Sequence, residues 1–423
     1  MLRLFNNGAA FSIALISLFF AAHNASAEEV YSWKKCVELT LQNNAELRSV
    51  IASEQSIKAS IGTARSNFLP QLTASSTSTR SNSDQLTPLN SNTVSIGVSQ
   101  NLFAGFQDAG KIAQAKANVA VAQANIIATK AKISRDLKAA YEGLNYAKEY
   151  LALLKDIIRR REDNMNIIKM RFKGGMENKG SVLLAEAYFA DAKYNLIQAQ
   201  NLKEISKAQL CKVMGFTECK DFDIKDAVPI KDLPSKLDFD IIIKDTPQHA
   251  QAIAQEQAAK AGITIAESGF FPNLNLVGAV GKRGTTFAPQ DNYWSVGVNL
   301  SFPFFTGGRD YYAVQGAVAS KSAATYTREN IDRQILADLR QGYSTYLESV
   351  TRLEVTKSYK EASQMRADIA RKKYNNGLLT FEDWDVIEND LINRQTNYLQ
   401  SRRDRVISEA AWEQIQGKGA YND

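Results

Sequence analysis

The sequence predicts an α+β membrane protein made mainly of long α-helical coiled coils, with two β-hairpins and an internal two-fold repeat. Three observations support this fold class. Motifs recur 202 residues apart along almost the whole chain. Short segments alternate polar and apolar side chains, and long segments carry the apolar spacing of coiled coils. We therefore expect two copies of one structural unit.

The repeat is clearest around short glycine motifs. Gly105 and Asp108 in the first half recur as Gly307 and Asp310 in the second half. The same offset separates Gly175 from Gly377, Glu186 from Glu388, and Leu69-Pro70-Gln71-Leu72 from Phe271-Pro272-Asn273-Leu274. This duplication predicts a first repeat at 28–228, a linker at 229–246 and a second repeat at 247–423.

The first residues have the features of an export signal. Arg3 precedes a short apolar run from Ala9 to Ala22, and Ala25-Ser26-Ala27 fits the small-residue cleavage pattern. We therefore predict a signal peptide at 1–27 and a mature chain that starts at Glu28. A retained anchor helix is the alternative, although the apolar run is shorter than the ~20 residues that span a bilayer.

Each repeat is predicted to begin with a helix that leads into a β-hairpin. In the first repeat the helix covers 33–66 and the strands cover 71–80 and 94–102. A loop rich in Ser, Asn, Asp and Pro is predicted at 82–93. The second repeat shows the alternation best: Trp294, Val296, Val298, Leu300 and Phe302 interleave with Ser295, Gly297, Asn299 and Ser301. Strand-to-helix turns are predicted at Gly105, Gly307 and Gly308.

An apolar face opposite a face of small polar residues is typical of a membrane barrel, with lipid outside and water inside. For a single strand, a soluble sandwich whose apolar face meets a core is the alternative. The sequence offers no further strands that would complete a sandwich, so we favour the membrane barrel.

The helix after each hairpin is very long. In the first repeat its apolar positions follow one another in steps of four and three, at Ile133, Leu137, Ala140, Leu144, Ala147, Leu151, Leu154 and Ile158. A helix over 107–172 would measure about 100 Å at ~1.5 Å per residue. It is predicted to end at Lys173-Gly174-Gly175, and its counterpart at Asn375-Asn376-Gly377. Return helices are predicted over 181–214 and 380–415.

The two hairpins supply too few strands to form a barrel alone. Open strand edges cannot be satisfied in lipid, and the smallest bacterial barrels have about eight strands. The chain is therefore expected to oligomerise, and three copies would give twelve strands. The long helices require partners as well, so a helical tube is expected to continue the barrel into the periplasm.

Composition argues against an enzyme and against nucleic-acid binding. The net charge of +6 is spread over the helices, with no basic stripe among aromatic residues. His249 is the one histidine after the predicted signal, and no zinc, calcium or nucleophile motif occurs. We predict no cofactor and no metal. An oxidising compartment permits a disulfide between Cys211 and Cys219 that would leave Cys36 free, but the sequence leaves the oxidation state open.

These features together resemble the outer-membrane efflux proteins of the TolC family. The resemblance rests on Leu102-Phe103-Ala104-Gly105 and Phe304-Phe305-Thr306-Gly307-Gly308, and on the helix ends Arg171-Phe172-Lys173-Gly174-Gly175 and Lys373-Tyr374-Asn375-Asn376-Gly377. It implies a homotrimer with a 12-stranded barrel in the lipid of the bacterial outer membrane and an α-helical barrel in the periplasm. It also implies a passive exit duct for efflux or type I secretion. The expected partners are a periplasmic adaptor and an inner-membrane transporter of the RND, ABC or MFS type.

The resemblance further implies that the helix-turn-helix ends close the periplasmic entrance. Asp383 matches an acidic residue that lines the constriction in the family, although an acid in the first turn of a helix can also simply favour the helix dipole. Leu379 and Ser181 stand where the family can have an arginine and a second aspartate. Closure is therefore expected from a Tyr374–Ser181 hydrogen bond or from packing of Leu378, Leu379 and Phe381. The expected adaptor contacts are Lys173, Gly174, Gly175, Lys179, Asn376, Gly377, Leu378 and Thr380.

The main competing hypothesis is a periplasmic coiled-coil spacer without a channel. A spacer would account for the long helices, but it would not need duplicated hairpins with one polar face. Extraction separates the two hypotheses, because a spacer should leave washed membranes with carbonate, whereas a duct should require detergent.

Overall fold

The computed structural model describes residues 29–83, 86–219, 221–233 and 237–421, so the predicted signal peptide lies outside the described residues. The elements run in the order β1 (Glu29–Ser32), α1 (Trp33–Asn43), α2 (Ala45–Ser66), β2 (Gln71–Ser83), β3 (Leu86–Ala104), α3 (Gln107–Lys173), α4 (Lys179–Met214), β4 (Phe222–Lys225), α5 (Phe239–Asp245), α6 (Pro247–Glu267), a 3₁₀ turn (Ser268–Phe270), β5 (Asn273–Gly284), β6 (Asp291–Ser301), α7 (Arg309–Asn375) and α8 (Phe381–Ile415). Both halves thus share the order helix, strand, strand, long helix, return helix.

The first helix is shorter than the sequence predicts. The single helix expected over 33–66 is wrong, because the chain breaks at Asn44, which has extended backbone angles. The Asn44 side chain accepts a hydrogen bond of 3.0 Å from the backbone N–H of Leu47. Asparagine is among the best residues for starting a helix in this way, so the polar residue at the break caps the second segment.

The hairpin strands form one antiparallel sheet in the order β2-β3-β5-β6. The loop predicted over 82–93 is wrong in its extent, because β3 already begins at Leu86. Residues 90–93 of β3 pair with residues 77–80 of β2. Polar side chains do not prevent backbone pairing, and the Ser- and Asn-rich composition was therefore a poor sign of a loop. In the register, Ala74, Ile96, Val280 and Trp294 form one row across the sheet.

The strand-to-helix turns require residues that accept positive φ angles. Gly105 has φ +59°, and a Cβ added there would lie 2.6 Å from the Cβ of Phe271 and 2.7 Å from the carbonyl oxygen of Ser268. In the second repeat the matching turn uses Gly307 and Gly308 at φ +65° and +84°. Any larger residue at position 105 would meet both a steric clash and a strained backbone.

The two longest helices differ in what surrounds them. Both α3 and α7 have 67 residues, which corresponds to about 100 Å. Helix α3 packs against α2 and α4 of its own repeat and against α6 and α8 of the other repeat. Helix α7 packs against α6 and α8 of its own repeat and against the short helix α5.

Apolar clusters lie along the length of the helices instead of at one centre. Near the middle, Leu137, Tyr141, Leu210 and Met214 form one cluster, and Leu339, Tyr346 and Trp412 form a second. A parallel pairing of β1 with β4, which the sequence patterns did not predict, covers the first of these. Among the described residues, none of the helices combines the length and apolarity needed to cross a bilayer.

Candidate functional site

The site predicted from the sequence lies at the two helix-turn-helix ends. After α3, Gly175 has φ +71° and the N–H of Met176 donates to the carbonyl of Arg171 at 2.9 Å. After α7, Gly377 has φ +73° and the N–H of Leu378 donates to the carbonyl of Lys373 at 2.9 Å. Both turns are Schellman motifs, in which a glycine takes the left-handed conformation and the last carbonyls find donors.

The residues expected to contact an adaptor lie at the outer surface of these turns. All eight of them are exposed in the chain: Lys173, Gly174, Gly175, Lys179, Asn376, Gly377, Leu378 and Thr380. Leu379, in contrast, is half-buried and packs against an apolar cluster that includes Ile168, Phe381 and Trp384. Both turns therefore present an exposed, glycine-containing tip above an apolar base.

Tyr374 is the centre of the contacts below the tips. Its side chain is fully buried, its ring stacks on Trp384 with 4.3 Å between centroids, and its hydroxyl donates to Glu177 at 3.0 Å. The guanidinium of Arg171 lies 4.8 Å from the ring centroid and donates to the Tyr374 carbonyl at 3.2 Å. Burial, together with the hydrogen bond to Glu177, raises the pKa of Tyr374 and keeps the hydroxyl protonated.

The hydrogen bond expected between Tyr374 and Ser181 is absent within the chain, because Tyr374 reaches Glu177 instead. The Ser181 side chain is buried and its hydroxyl has no hydrogen-bond partner in the described residues. Asp383 lies on the exposed side of α8, where its N–H and carboxylate both contact the hydroxyl of Thr380, at 3.1 and 2.8 Å. Thr380 is thus the cap of α8, and the Asp383 carboxylate remains open to solvent.

Two buried ion pairs that sequence reasoning missed join the repeats below the tips, beside the apolar cluster. Arg160 of α3 donates to Glu388 of α8 at 2.7 Å, and Arg161 donates to Asp385 at 3.1 Å. Arg371 of α7 adds a third cation, 3.7 Å from Glu388. Burial lowers the pKa of Arg160, and the carboxylate of Glu388 opposes that shift. In the sequence, the apolar series of α3 is interrupted at Arg161. This interruption was the sequence signal that could have indicated a buried charge at this position.

One face of the sheet, which includes the row of Ala74, Ile96, Val280 and Trp294, is apolar and uncovered in a single chain. Trp294 is 77% exposed, and Leu72, Ile96, Val280 and Val296 are exposed as well. The opposite face carries small polar groups, among them Ser75 and Ser95, whose hydroxyls lie 3.0 Å apart. Large apolar patches of this kind mark contact with a membrane or with another protein.

The cysteines lie beside the central cluster, far along the chain from the tips. Cys211 and Cys219 are joined in a disulfide, with 5.8 Å between their Cα atoms. Cys36 is a buried free thiol, and burial raises its pKa to about 12. A thiol with so high a pKa is a poor nucleophile. In the described ranges, no group of three or more His, Cys, Asp or Glu side chains is arranged to hold a metal ion.

The chain is similar to known membrane proteins in both sequence and structure. The chain is 24% identical over 417 residues to the outer membrane protein TolC of Vibrio cholerae, which covers 94% of this chain and 92% of that relative. A crystal structure of a membrane protein from Pseudomonas aeruginosa matches with a TM-score of 0.81 at 17% identity, covering 90% of this chain and 93% of that one. The outer membrane protein VceC of Vibrio cholerae matches with a TM-score of 0.78 at 19% identity, covering 91% and 96%.

The identities to the solved structures are below 25%, so these matches show the fold and nothing more. The family is given by the sequence: the model of the outer membrane efflux proteins matches residues 36–216 and 241–418. The two matched segments fall on the two halves of the duplicated chain, and together they cover most of it. The protein therefore belongs to the outer membrane efflux protein family.

Proposed function

We propose that this outer-membrane efflux protein works as a homotrimer whose copies close into one passive exit duct. The observation that carries the proposal is the unequal surroundings of α3 and α7. Because α7 is the repeat counterpart of α3, it should also pack against the counterparts of α6 and α8, which are α2 and α4. A second copy of the chain can supply that pair, in a head-to-tail contact that closes into a ring.

The sheet supports the same arrangement. β3 pairs with both β2 and β5, whereas its counterpart β6 pairs with β5 alone and leaves an edge open. The counterpart of β5 is β2, so β6 of one copy would pair with β2 of the next. Three copies of this four-stranded sheet would supply twelve strands, which is enough to close a barrel and remove every edge.

The polarity of the sheet supports a membrane position. Apolar rows from Leu274–Leu300 to Val280–Trp294 span six residues along each strand, or roughly 20 Å at ~3.3 Å per residue. Lys282 and Asn292 follow in the next row, so the apolar face has a polar border and a height close to the apolar band of about 25 Å in outer-membrane barrels. The exposed row of Trp294 would then face lipid, and Ser75 and Ser95 would face the lumen.

The chain would conduct cargo without supplying energy. A periplasmic adaptor and an inner-membrane transporter, of the RND, ABC or MFS type, are the proposed partners, and the exposed tips around Gly175 and Gly377 are the proposed adaptor contacts. Asp383 would form a ring of carboxylates at the entrance. Such rings of like charge favour the passage of cations.

Extraction, mass and conductance measurements test this proposal. The protein should stay in carbonate-washed membranes, run as a trimer in detergent, and form channels in planar bilayers. Asp383→Asn removes the charge but keeps a side chain that can still contact Thr380, and it should raise conductance and weaken block by multivalent cations. Glu382→Gln is the matched control, because residue 382 is also exposed but lies ~100° around the helix.

A monomer that carbonate releases would contradict the duct and favour the coiled-coil spacer. A trimeric channel in which both substitutions behave alike would keep the duct but remove Asp383 from the constriction. The two outcomes are separable because extraction and mass do not depend on Asp383.

A further inference from the structure

The hairpin strands contain few cations, and all of them lie at one end of the sheet. Strands β2, β3, β5 and β6 hold three basic residues between them, namely Arg80, Lys282 and Arg283. Each lies near the turn of its hairpin, at the end of the sheet that is farthest from the long helices. At the helix end, β6 is followed instead by the exposed aromatic residue Phe302. The two ends of the sheet therefore differ in chemistry.

Two of the three cations lie on the apolar face of the sheet. Lys282 is two residues beyond Val280, which shares a row with Trp294. Arg80 is six residues beyond Ala74, which belongs to the same row. Side chains an even number of residues apart along a strand share a face. Arg80 and Lys282 are both exposed, so this face carries cations past its apolar rows.

The third cation lies on the opposite face and is compensated there. Arg283 is directly opposite Asp291 in the register of β5 and β6. Its guanidinium also lies 5.9 Å from the ring centroid of Tyr293. Opposite charges across a strand pair stabilise each other. The sheet thus provides a carboxylate opposite the cation that would face the lumen.

The cations on the apolar face are placed opposite asparagine instead. Lys282 is paired with Asn292, and Arg80 is paired with Asn90. Within the described ranges, the side chains of Lys282 and Arg80 have no ion-pair partner. An asparagine amide supplies N–H donors but no charge. Each pair therefore offers a cation and a neutral donor side by side.

The same pair occurs once in each repeat. Lys282 and Asn292 lie 202 residues after Arg80 and Asn90. Each cation is also eight residues along its strand from the leucine at the helix end, Leu72 or Leu274 in turn. That distance is roughly 26 Å at ~3.3 Å per residue. In a ring of three copies, the six pairs would lie at one height on the outside of the barrel.

A cation on a lipid-facing surface is costly near the bilayer midplane and nearly free of cost at the headgroup level. The last apolar row, Val280–Trp294, comes just before Lys282, and tryptophan is enriched at that level in membranes. A ligand that fits must therefore be anionic at one end and apolar at the other. We propose that each pair of cation and asparagine binds a lipid phosphate in the leaflet nearest the hairpin turns.

This site rests on the proposed duct, since only a barrel in the membrane brings the apolar face against lipid. The ammonium of Lys282 and the guanidinium of Arg80 would donate charge-assisted hydrogen bonds to phosphate oxygens. The amides of Asn292 and Asn90 would add neutral ones. The acyl chains of the same lipid would lie along the apolar rows. Six bound headgroups would hold the barrel at a fixed depth in the bilayer.

Lipid binding by the purified trimer tests the proposal. The probe is lipid A, a glycolipid with two phosphates, which is titrated into delipidated trimer in detergent. Native mass spectrometry then gives the fraction of trimer with lipid bound. The variant with both Arg80→Gln and Lys282→Gln keeps polar side chains of similar length. It should bind lipid A at least about fivefold more weakly than the parent protein.

Two matched variants separate the site from general effects of charge. Arg283→Gln removes one cation from the same strand but from the opposite face, so it should bind lipid A as the parent does. Exchange of the two cations, by Arg80→Lys with Lys282→Arg, keeps a donor of positive charge at both places. It should also keep the parent affinity within about twofold.

A second pair of measurements identifies the source of the phosphate. Lipid A without its phosphates should bind the parent no better than it binds the double glutamine variant. Inorganic phosphate should compete weakly with lipid A, because it lacks the acyl chains that contact the apolar rows. Inorganic phosphate that binds as tightly as lipid A would make this a site for a free anion, and the lipid would be wrong.

The remaining outcomes separate this site from the duct. Equal affinity of the parent and the double glutamine variant would overturn the proposal, and so would an equal loss of affinity in Arg283→Gln. A parent protein that is a monomer in detergent would remove the duct and the lipid site together. A trimeric channel that binds lipid A no better than its phosphate-free form would contradict the lipid site alone.

Discussion

Helices α3 and α7 have the same length and the same place in their repeats, but they have different surroundings. Ile157 of α3 is 3% exposed, whereas its counterpart Tyr359 of α7 is 52% exposed. Helix α3 is enclosed by helices of both repeats, and α7 is enclosed on the side of its own repeat. The duplicated unit has therefore diverged into a helix at the centre of the protomer and a helix at its border.

The divergence extends to charge. The central helix buries Arg160 and Arg161 against α8, and the border helix has Ala362 and Ser363 at the same positions. Buried ion pairs add little net stability compared with apolar residues, but breaking one by removing a partner is costly. The charges therefore make the internal contact intolerant of displacement, and the predictions below test that contrast, beginning with the largest expected effect.

Removal of one central charge should have the largest effect. Arg160→Gln leaves Glu388 buried with only Arg371 near it, so the free energy of unfolding should fall by about 3–5 kcal/mol. Equilibrium urea unfolding in detergent at a fixed protein concentration measures this loss. Adding Glu388→Gln should recover part of it, because the uncompensated carboxylate is then gone.

The control for that experiment lies on α7. Arg333 pairs with Glu329 on the exposed surface, where the two side chains are 78% and 44% exposed. Arg333→Gln should change the free energy of unfolding by only about 0.5 kcal/mol or less. Equal losses for Arg160→Gln and Arg333→Gln would mean that burial of the central pair contributes nothing.

The contrast between α3 and α7 explains how far sequence reasoning reached. The glycine turns and the heptad spacing are local patterns, so they predicted two of the helices to within a residue or two of Gln107–Lys173 and Phe381–Ile415. The alternation in β6 likewise predicted its two faces. Each of these features depends on residues close together in the chain, where spacing and backbone preference are sufficient.

The contacts between repeats could not be predicted in the same way. Arg160 and Glu388 are 228 residues apart, and Tyr374 contacts Glu177 across 197. The choice of Glu177 over Ser181 depends on how two helix ends are set against each other, which no local pattern encodes. The pairing of β1 with β4 was missed for the same reason, since each strand has only four residues.

The ends of the return helices offer a second contrast, with a smaller expected effect. Cys211 of α4 is joined to Cys219, whereas its counterpart Glu413 of α8 is held by Lys138 at 2.6 Å and Lys231 at 3.2 Å. The disulfide closes a loop with a sequence separation of 8, so replacing both cysteines by serine should cost about 2.5 kcal/mol of unfolding free energy by the loop-closure relation. A reductant should then have no further effect on this variant. A parent protein whose stability is unchanged by reductant would contradict the prediction.

The last contrast concerns a buried acid that only the central helix has. Glu142 of α3 is buried, and its counterpart Ser344 of α7 is exposed. Burial raises the pKa of Glu142 from 4.5 to about 7, although Asn145 and Arg402 oppose the shift. The folded protein therefore holds this proton more tightly than the unfolded chain, and stability from this group should fall as pH rises from about 4.5 to about 7.

Glu142→Gln keeps the shape of the side chain but cannot ionise. It should abolish that part of the pH dependence and stabilise the protein at pH values above the folded pKa, by roughly 3 kcal/mol relative to its effect in acid. Urea unfolding of both proteins across this pH range gives the difference directly. Glu348→Gln, at an exposed position of α7, should leave the pH profile unchanged. If the two variants gave the same profile, the environments of α3 and α7 would not differ at this level, and the distinction between a central and a border helix would be confined to the neighbourhood of Arg160.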